Sequence, residues 1–560
     1  MITARTEQVY LRNFPYFYDP AEYSFHAVRL HERLGEEGRL RLAAREWLGN
    51  DRNPLRTVPL ILFAPDLLAH PVGHLATSLP ALLVFLLLLG STIHRRSGST
   101  LYALAAMGAF CALPGFFDPT LGIATNWLDL PASLWVGASW LCLLNLNGAR
   151  DERWLFGFAT LASLAVLSRY VAAAFALVAA GPVLAFYLAS RWRGGGAVVR
   201  PLVIVATVIA VLAGPVLLAH LRTNVFYYAA LAYGLGGTSA DAARSLLGEL
   251  QGYVLDRSFA VRALQYAVLA AIMGNHLLGL WRNPDRAWSD LLIPLWLAIG
   301  IPLFLVLVLK TPADPSLALM SLPGLLAAVL MPPGWTRRRR RGSALVLAVL
   351  AAVVGGRAAL ADWRWATQPL EDHRYDREWV TPSFPDIPDQ KAFDVALAEA
   401  ISRQGDGLVW SPFFDETSHL QTLEAFYGFG TLILPAGPRY FSIHEAYWRG
   451  FYPGLSPQEA SDRVYAATCK WVDLAVVLDD PRRAETLVSR VNVHVGNPFT
   501  RLVAGDIAQR IADDHRWRRV FILDSRYYGR VVGYRNRTSL GRGYRAALES
   551  PGLFSSPIDP

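Results

Sequence analysis

The chain has 560 residues, of which 53% are hydrophobic and only 18% charged, and its mean hydropathy is +0.28, a balance that soluble multidomain enzymes of this length rarely show. The net charge is +8, but the basic residues lie between apolar segments and form no patch interleaved with aromatic residues, which argues against a nucleic-acid partner. Cys111, Cys142 and Cys469 are the only cysteines, so no disulfide framework or CxxC metal site is present.

The first predicted elements are two amphipathic helices within residues 1–75. Apolar residues at helical spacing alternate with Arg, Glu and His over Glu22–Leu34 and Leu40–Leu48. This pattern is typical of helices lying in the membrane interface, although surface helices packed on a bundle would show it too. Pro59, Pro65 and Pro71 interrupt the apolar stretch that follows, so we interpret it as leading into the first span.

Ten apolar segments of roughly the 20 residues that cross a hydrocarbon core make up the predicted membrane domain, residues 76–361. They lie at 77–93, 100–117, 129–146, 154–169, 170–190, 198–219, 262–281, 288–309, 316–332 and 343–361. The fourth segment is short, which leaves a re-entrant hairpin open as an alternative. No comparable apolar run occurs after Asp362.

Basic residues are unevenly divided between alternate loops. One set carries Arg95/Arg96, Arg150/Arg153, Arg191/Arg193/Arg200, Arg282/Arg286 and Arg337–Arg341; the other carries only Arg169, Arg222, Arg244, Arg257, Arg262 and Lys310. Positive charge in short loops marks the cytoplasmic side. We therefore expect a multi-pass protein of the inner (plasma) membrane with residues 1–75 and 362–560 outside the cytoplasm. Because no signal peptide opens the sequence, an outward N-terminus also predicts a further span before it.

An acidic motif in an aromatic setting precedes the first helix. The sequence Phe14-Pro15-Tyr16-Phe17-Tyr18-Asp19-Pro20-Ala21-Glu22-Tyr23 places Asp19 and Glu22 at the predicted outer face. A partly desolvated carboxylate can act as a general base toward a hydroxyl group. The alternative is structural, with Asp19 as an N-cap and Glu22 as its capping-box partner.

Two further carboxylates stand at predicted helix mouths on the same side. Asp118 follows Phe116-Phe117, and Asp129 opens the third span. Ionisable groups on one side of a membrane domain suggest a shared cavity, because a carboxylate facing lipid is unfavourable. Asp129 is equally well explained as an N-cap stabilised by the helix dipole.

Two cations are candidates for binding a phosphate group. Arg169 interrupts a long apolar run at a predicted outward hairpin, where it can bind a lipid phosphate or simply extend to the headgroups. Lys310 is the only lysine in the membrane half of a chain that otherwise uses arginine, and it follows an apolar span.

Together these features resemble the GT-C superfamily of membrane glycosyltransferases, particularly bacterial relatives of protein mannosyltransferases and aminoarabinose transferases. The resemblance covers residues 14 to about 332 and depends on the order and side of four features. They are Tyr18-Asp19-Pro20-Ala21-Glu22-Tyr23, the acidic position at Asp118 or Asp129, the hairpin Ser168-Arg169-Tyr170, and Lys310 followed by Leu322-Pro323-Gly324. In that family a helix precedes the acidic loop, so the resemblance also implies a missing first span.

The resemblance implies that Asp19 is the catalytic base and that the donor is a polyprenyl-phosphate-linked sugar whose phosphate contacts Arg169 and Lys310. The acceptor would be a glycan, lipid or protein on the outer face, with membrane lipids as further partners. No nucleotide cofactor is expected, and a divalent cation stays open. In this chain Pro20-Ala21 separates Asp19 from Glu22, whereas the family has an adjacent acidic pair, which leaves the role of Glu22 less defined than that of Asp19.

Residues 362–560 predict an extracytoplasmic α/β domain. A helix over Ala392–Ser402 precedes a strand at Gly407–Trp410, and Leu474–Leu478 and Val520–Leu523 are further predicted strands. Helices are predicted near 457–470, 482–490 and 499–515, and this alternation indicates a small α/β fold. We expect the domain to help bind an acceptor or partner.

The predicted function is thus transfer of a sugar from a polyprenyl-phosphate carrier at the outer face. The main alternative is a transporter or flippase of a lipid-linked saccharide, and a noncatalytic scaffold is a third. Transporters often contain internal repeats and place ionisable groups near the middle of the membrane. No repeat is evident here, and the candidate charges gather at the outward ends, which favours an enzyme.

Overall fold

The fold comes from a computed structural model. It describes residues 19–50, 54–68, 70, 73–111, 128–146, 151–170, 172–221, 341–349, 351–353, 356, 387–404, 407, 409–411, 456–479, 498–525 and 529–539. The predicted spans at 262–281, 288–309 and 316–332, and the predicted helix at 482–490, lie outside these residues.

Three helices form the N-terminal segment: α1 (Asp19–Glu37), α2 (Arg39–Gly49) and α3 (Pro54–Phe63). Gly38 separates α1 from α2 with φ of 76°, a conformation that side chains with a Cβ rarely adopt. The apolar faces of the three helices meet in one cluster, which includes Leu30, Leu42 and Ile61. The two predicted amphipathic helices are therefore confirmed as helices packed on one another.

The prolines of this segment do not all interrupt the helix. Pro59 lies inside α3, so the prediction of a break there is wrong. The helix does end at Phe63, and a short 3-10 turn then begins at Pro65. Pro54 occupies the first helical position, where the missing N–H removes no hydrogen bond.

A bundle of apolar helices follows. Its members are α4 (Leu75–Ser97), α5 (Thr100–Cys111), α6 (Asp129–Leu144), α7 (Asp151–Ser168), α8 (Ala172–Arg193), α9 (Val199–Leu212) and α10 (Gly214–Ala219), with α11 (Arg341–Val353) packed on them. In the described part of the chain, α4 alone is long and apolar enough to cross a membrane, and α5, α6, α9 and α11 are shorter apolar helices. The predicted spans that fall on described residues are helical over most of those residues.

Helix α6 is the centre of the described bundle. It packs against α4, α7 and α8, and each of its residues except Pro131 is buried. Its serines satisfy their hydroxyl groups locally, since Ser133 and Ser139 donate to the carbonyl oxygens of Leu130 and Val136. Apart from Asp129 at its start, α6 is apolar on every face, and a helix of this kind can be buried by other helices on all sides.

The predicted span at 198–219 is broken into α9 and α10. Pro215 lies in the first turn of α10 and has no N–H to continue the hydrogen bonding of α9, so the chain breaks at Ala213. Ala213 and Val216 pack against Leu167 and Tyr170 at one end of the bundle. The break therefore lies near that end and not at mid-length.

The C-terminal part contains the mixed α/β unit that the alternation predicts. Its elements are α12 (Ile387–Ser402), β1 (Val409–Trp410), α13 (Pro457–Trp471), β2 (Leu474–Leu478), α14 (Pro498–Asp513), β3 (Trp517–Ser525) and β4 (Gly529–Asn536). The sheet has the order β1-β2-β4-β3, with β1 parallel to β2 and the other pairs antiparallel. Strand β4 was not predicted. Helix α13 begins with a capping box between Ser456 and Glu459.

Candidate functional site

The bundle has two chemically different ends. At the first, Arg96 at the end of α4 donates to the carbonyl oxygen of Leu144 at the end of α6. Arg95 lies 4.9 Å from the ring centroid of Trp154 at the start of α7. Arg200 at the start of α9 forms an ion pair of 2.9 Å with Glu152. The structure thus confirms that these predicted loop residues share one end, which we call the basic end.

The opposite end holds a buried ion pair, and we call it the paired end. Asp129 is the first residue of α6, and Arg169 directly follows Ser168, the last residue of α7. The Nε atom of Arg169 lies 2.8 Å from Oδ1 of Asp129, with 22% of the arginine side chain and 1% of the aspartate side chain exposed. Helix α7 runs from the basic end to the paired end of the described bundle.

This ion pair brings together two residues that the sequence analysis identified as separate candidates, Asp129 as a carboxylate and Arg169 as a phosphate-binding cation. The N-cap interpretation of Asp129 is wrong, because Leu128 occupies the N-cap position and the carboxylate of Asp129 turns to Arg169. The helix ends favour the pair on both sides. A carboxylate is stabilised at the N-terminus of α6, and a cation is stabilised at the C-terminus of α7.

The N-terminal helices pack on the paired end. Trp47 of α2 and Leu55 of α3 contact the cluster formed by Leu167, Tyr170 and Val216. Nε2 of His220 lies 2.7 Å from the carbonyl oxygen of Leu48. These contacts set α1–α3 over the end of the bundle where the Asp129–Arg169 pair lies.

Tyr170 connects the ion pair to this N-terminal cover. It follows Arg169 in the chain, and its hydroxyl group lies 3.4 Å from the carbonyl oxygen of Asn50, to which it donates. Asn50 in turn donates from its side-chain amide to Oε1 of Glu46, over 2.5 Å. These hydrogen bonds lead from Tyr170, the neighbour of Arg169 in the chain, through Asn50 to a second buried carboxylate.

Glu46 is that second carboxylate, and it joins the three N-terminal helices. Its Oε1 atom lies 2.8 Å from Nε2 of His26 on α1 and accepts a hydrogen bond of 2.8 Å from the hydroxyl group of Thr57 on α3. Burial acts to raise the pKa of Glu46, but the charge and hydrogen bond of His26, together with the hydrogen bonds of Thr57 and Asn50, lower it to about 2. Glu46 is therefore ionised at neutral pH.

The remaining nominated residues fall partly inside the described chain. Helix α1 begins at Asp19, so Asp19 and Glu22 both belong to its first turn. Their side chains are outside the described part. Asp118 and Lys310 also lie outside the described residues, so their relation to the Asp129–Arg169 pair stays a prediction.

Sequence reasoning missed the residues of the Glu46 cluster. A signal was present, because Glu46 shares the buried face of α2 with Leu42 and Ala43, at spacings of four and three residues. A carboxylate within an apolar stripe needs a buried partner. His26 carried no such signal, since it meets Glu46 only after α1 packs on α2, whereas Asn50 lies only four residues after Glu46 at the end of α2.

The described residues offer no ready metal centre. Among them, no group of three or more His, Cys, Asp or Glu side chains is placed so that it could hold a metal ion.

Comparison with known proteins finds similarity to solved structures. No protein-family model matches the chain, and no curated protein matches it. The chain is similar to the crystal structure of ArnT from Cupriavidus metallidurans in the apo state, with 14% identity over 96% of this chain and 97% of that chain and a TM-score of 0.39. At this TM-score the likeness carries no argument about activity.

Proposed function

We propose that the chain is a polytopic membrane glycosyltransferase that moves a sugar from a polyprenyl-phosphate carrier to an acceptor on the outer face. The observation that carries this proposal is the Asp129–Arg169 pair, buried at the end of an apolar bundle and covered by α1–α3, the first of which begins at Asp19 and includes Glu22 in its first turn. A cation and several carboxylates at one end of such a bundle are the groups that this reaction needs.

Arg169 is the proposed contact to the donor phosphate. A guanidinium group presents a planar set of donors that matches phosphate oxygens. Its 22% exposed fraction leaves part of the side chain accessible, while Asp129 fixes its position. Lys310 is the second proposed phosphate contact, on the strength of the family resemblance.

Asp19 is the proposed base. In the transfer, the oxygen of the acceptor hydroxyl forms a bond to the anomeric carbon, and the bond from that carbon to the phosphate oxygen breaks. The polyprenyl phosphate leaves with the bonding electrons, and the hydroxyl group loses its proton. A carboxylate within hydrogen-bond reach can take that proton, and Asp19 stands at the start of the covering helix.

A carboxylate such as Asp129 could act as a general base, but Asp129 is better suited to hold Arg169 in place. Because its carboxylate is 1% exposed and lies against Arg169, it is a counter-ion that orients the guanidinium. Glu22, one turn after Asp19, is proposed to support the acidic motif.

The position of the charges favours an enzyme over a transporter or flippase. Transporters place ionisable groups and broken helices near mid-membrane. In the described bundle, both the Asp129–Arg169 pair and the break at Ala213 lie near the paired end.

The test is an assay of the purified full chain with a panel of polyprenyl-phosphate sugars. Asp19→Asn keeps the shape of the side chain but cannot take the proton, so turnover should fall roughly 100- to 10,000-fold with unchanged folding. Glu22→Gln is the matched control and should reduce turnover less. Near-normal turnover of Asp19→Asn with an identified donor would show that the base lies elsewhere, and no turnover with any donor would contradict the proposal.

A further inference from the structure

We propose that helix α2 lies on the bilayer surface and binds anionic phospholipids through an apolar stripe bordered by arginines. The stripe consists of Leu40, Ala44 and Leu48, and the bordering arginines are Arg41 and Arg45. This inference rests on the membrane location in the proposed function and does not depend on sugar transfer. The observation behind it is that α2 packs through one apolar face and exposes a second one.

The two apolar faces of α2 have different surroundings. Leu42 and Ala43 are buried in the cluster that α2 forms with α1 and α3. Leu40, Ala44 and Leu48 are all exposed, with 80% of Leu40 accessible. Because four residues make slightly more than one helical turn, the exposed residues form one continuous stripe along α2. A surface helix in contact only with water would carry polar residues at such positions.

The stripe lies beside the part of α2 that contacts the bundle. At about 100° per residue, Trp47 is the neighbour of Leu40 on one side of the stripe, and Arg41 is the neighbour of Leu48 on the other. Trp47 packs against the cluster at the paired end. The order around the helix is therefore the contact with the bundle, then the stripe, then the arginines. The arginines thus lie on the side of the stripe that is away from the bundle.

The end of α2 adjoins the exposed apolar surface of the bundle. The carbonyl oxygen of Leu48 lies 2.7 Å from Nε2 of His220. Leu218 and Leu221, close to His220 in the chain, are both exposed, with 74% of Leu218 accessible. The predicted span at 198–219 ends here, so α2 lies at the level where the apolar surface of the bundle ends. In a bilayer, that level is the boundary between acyl chains and headgroups, where the apolar face of an interfacial helix is buried.

The arginines favour anionic headgroups over neutral ones. Arg39, Arg41 and Arg45 are all exposed. Arg45 pairs with Glu37, whereas Arg39 and Arg41 form no ion pair with any residue that the structure describes. Basic residues at a membrane surface are attracted by the negative potential of anionic lipids, and a guanidinium group matches phosphate oxygens. The charge of α2 therefore complements a phospholipid that carries a net negative charge.

The first experiment measures contact between the stripe and lipid without measuring turnover. The full-length protein, with its three native cysteines changed to alanine, receives one cysteine at position 40 or 44, labelled with a fluorophore. In vesicles of phosphatidylcholine and phosphatidylglycerol with brominated acyl chains, the fluorescence should fall roughly twofold or more, because bromine quenches at contact. Absence of quenching at both positions would overturn the proposal.

A matched control position is Gly35 on α1. It is exposed, and an added side chain has open space there. Its neighbours Glu36 and Glu37 favour water, since a carboxylate in lipid is unfavourable. A fluorophore on Gly35→Cys should therefore keep most of its fluorescence in the same vesicles. Equal quenching at positions 35, 40 and 44 would mean that the stripe has no special contact with lipid, and the proposal would be wrong.

The second experiment tests the choice of headgroup. Vesicles contain equal amounts of the two lipids, with bromine on only one of them, and the fluorophore is at position 44. Brominated phosphatidylglycerol should quench more strongly than brominated phosphatidylcholine, and Arg41→Gln should reduce this preference by up to about fivefold. Arg200→Gln, at an exposed arginine of the basic end, should leave it unchanged. Equal quenching by both lipids, or a preference that survives Arg41→Gln, would overturn the assignment to anionic lipid.

Other occupants of the stripe give different results. If the fluorescence at positions 40 and 44 changes with the density of protein in the vesicles and not with bromine, a second copy of the chain covers the stripe and the proposal is wrong. The result is also separable from the proposed function. Absence of turnover with every donor contradicts sugar transfer and leaves the lipid contact in place, whereas turnover without quenching contradicts the lipid contact alone.

Discussion

The two ends of the bundle each hold an arginine–carboxylate pair of nearly the same length, in very different surroundings. The Arg200–Glu152 pair of the basic end spans 2.9 Å, with 73% and 35% of the side chains exposed. The Arg169–Asp129 pair of the paired end spans 2.8 Å, with 22% and 1% exposed. Distance alone would rank the two pairs as equal. Burial separates them, because water can replace one partner at the basic end and cannot do so for Asp129.

The difference also bears on where a functional site is expected. The arginines of the basic end contact a backbone carbonyl oxygen, an aromatic ring and a half-exposed glutamate, which are contacts that any surface arginine can make. The paired end instead keeps a carboxylate almost fully buried, which is unfavourable without a partner. Buried charges at one end of a bundle are a common feature of functional sites.

The largest expected effect comes from removing one charge of the buried pair. Asp129→Asn leaves the guanidinium of Arg169 in place without its counter-ion, so the free energy of unfolding should fall by about 3–5 kcal/mol. Denaturant unfolding in detergent measures it. The double variant Asp129→Asn with Arg169→Gln should regain part of the loss, because no unpaired charge remains. A loss below about 1 kcal/mol in the single variant would place this pair with the exposed one.

The second-largest expected effect is on the stability of helices α1–α3, which cover the paired end. The pKa of Glu46 is lowered from its ordinary value of 4.5 to about 2. The stabilisation is present above pH 4.5 and is lost as the pH falls through about 2, because the folded cluster binds the ionised form. It amounts to about 3 kcal/mol. The protection factors for hydrogen exchange of α1–α3, which correct for the pH dependence of intrinsic exchange, should fall over this pH range, and Glu46→Gln should remove the fall. Equal protection factors at pH 5 and pH 2 would contradict the cluster's role.

A smaller effect should appear in donor binding. Arg169→Lys keeps a positive charge beside Asp129 but loses the planar donor set that fits a phosphate group. The KM for the donor should rise about tenfold, which corresponds to about 1.4 kcal/mol. Arg200→Lys at the basic end is the matched control and should leave KM unchanged. If both variants behave alike, Arg169 does not contact the donor.

The sequence was sufficient to predict the helices because their signals are local. The apolar runs at 77–93, 129–146 and 154–169 correspond to α4, α6 and α7, because long apolar segments strongly favour a buried helix. Helix details depended on more than residue type. Pro59 stays within α3, whereas Pro215 coincides with a break between two helices. The local sequence pattern does not distinguish these two outcomes.

Strand β4, in contrast, could not be predicted from its local sequence. Its sequence Gly-Arg-Val-Val-Gly-Tyr-Arg-Asn contains two glycines and two arginines, which weaken any strand pattern. It becomes a strand because it lies between β2 and β3 and pairs with both. The contacts within the candidate site could not be predicted from local sequence either. Asp129 and Arg169 were each predictable as charges in apolar surroundings, but their contact across 40 residues, and that of His26 with Glu46, required the packed helices.

The smallest expected effect belongs to the exposed pair of the basic end. A double-variant cycle with Arg200→Gln and Glu152→Gln measures the interaction free energy between the two side chains. Because most of the Arg200 side chain is in contact with solvent, the coupling should be about 0.5 kcal/mol or less. It should also weaken further in 1 M salt, where the screening length is only about 3 Å. The same cycle on Arg169 and Asp129 should give a coupling several times larger and nearly independent of salt, since little solvent reaches that pair. Similar couplings for the two cycles would mean that burial does not distinguish the two ends, and Arg169 would then lose its claim to a fixed, pre-positioned guanidinium.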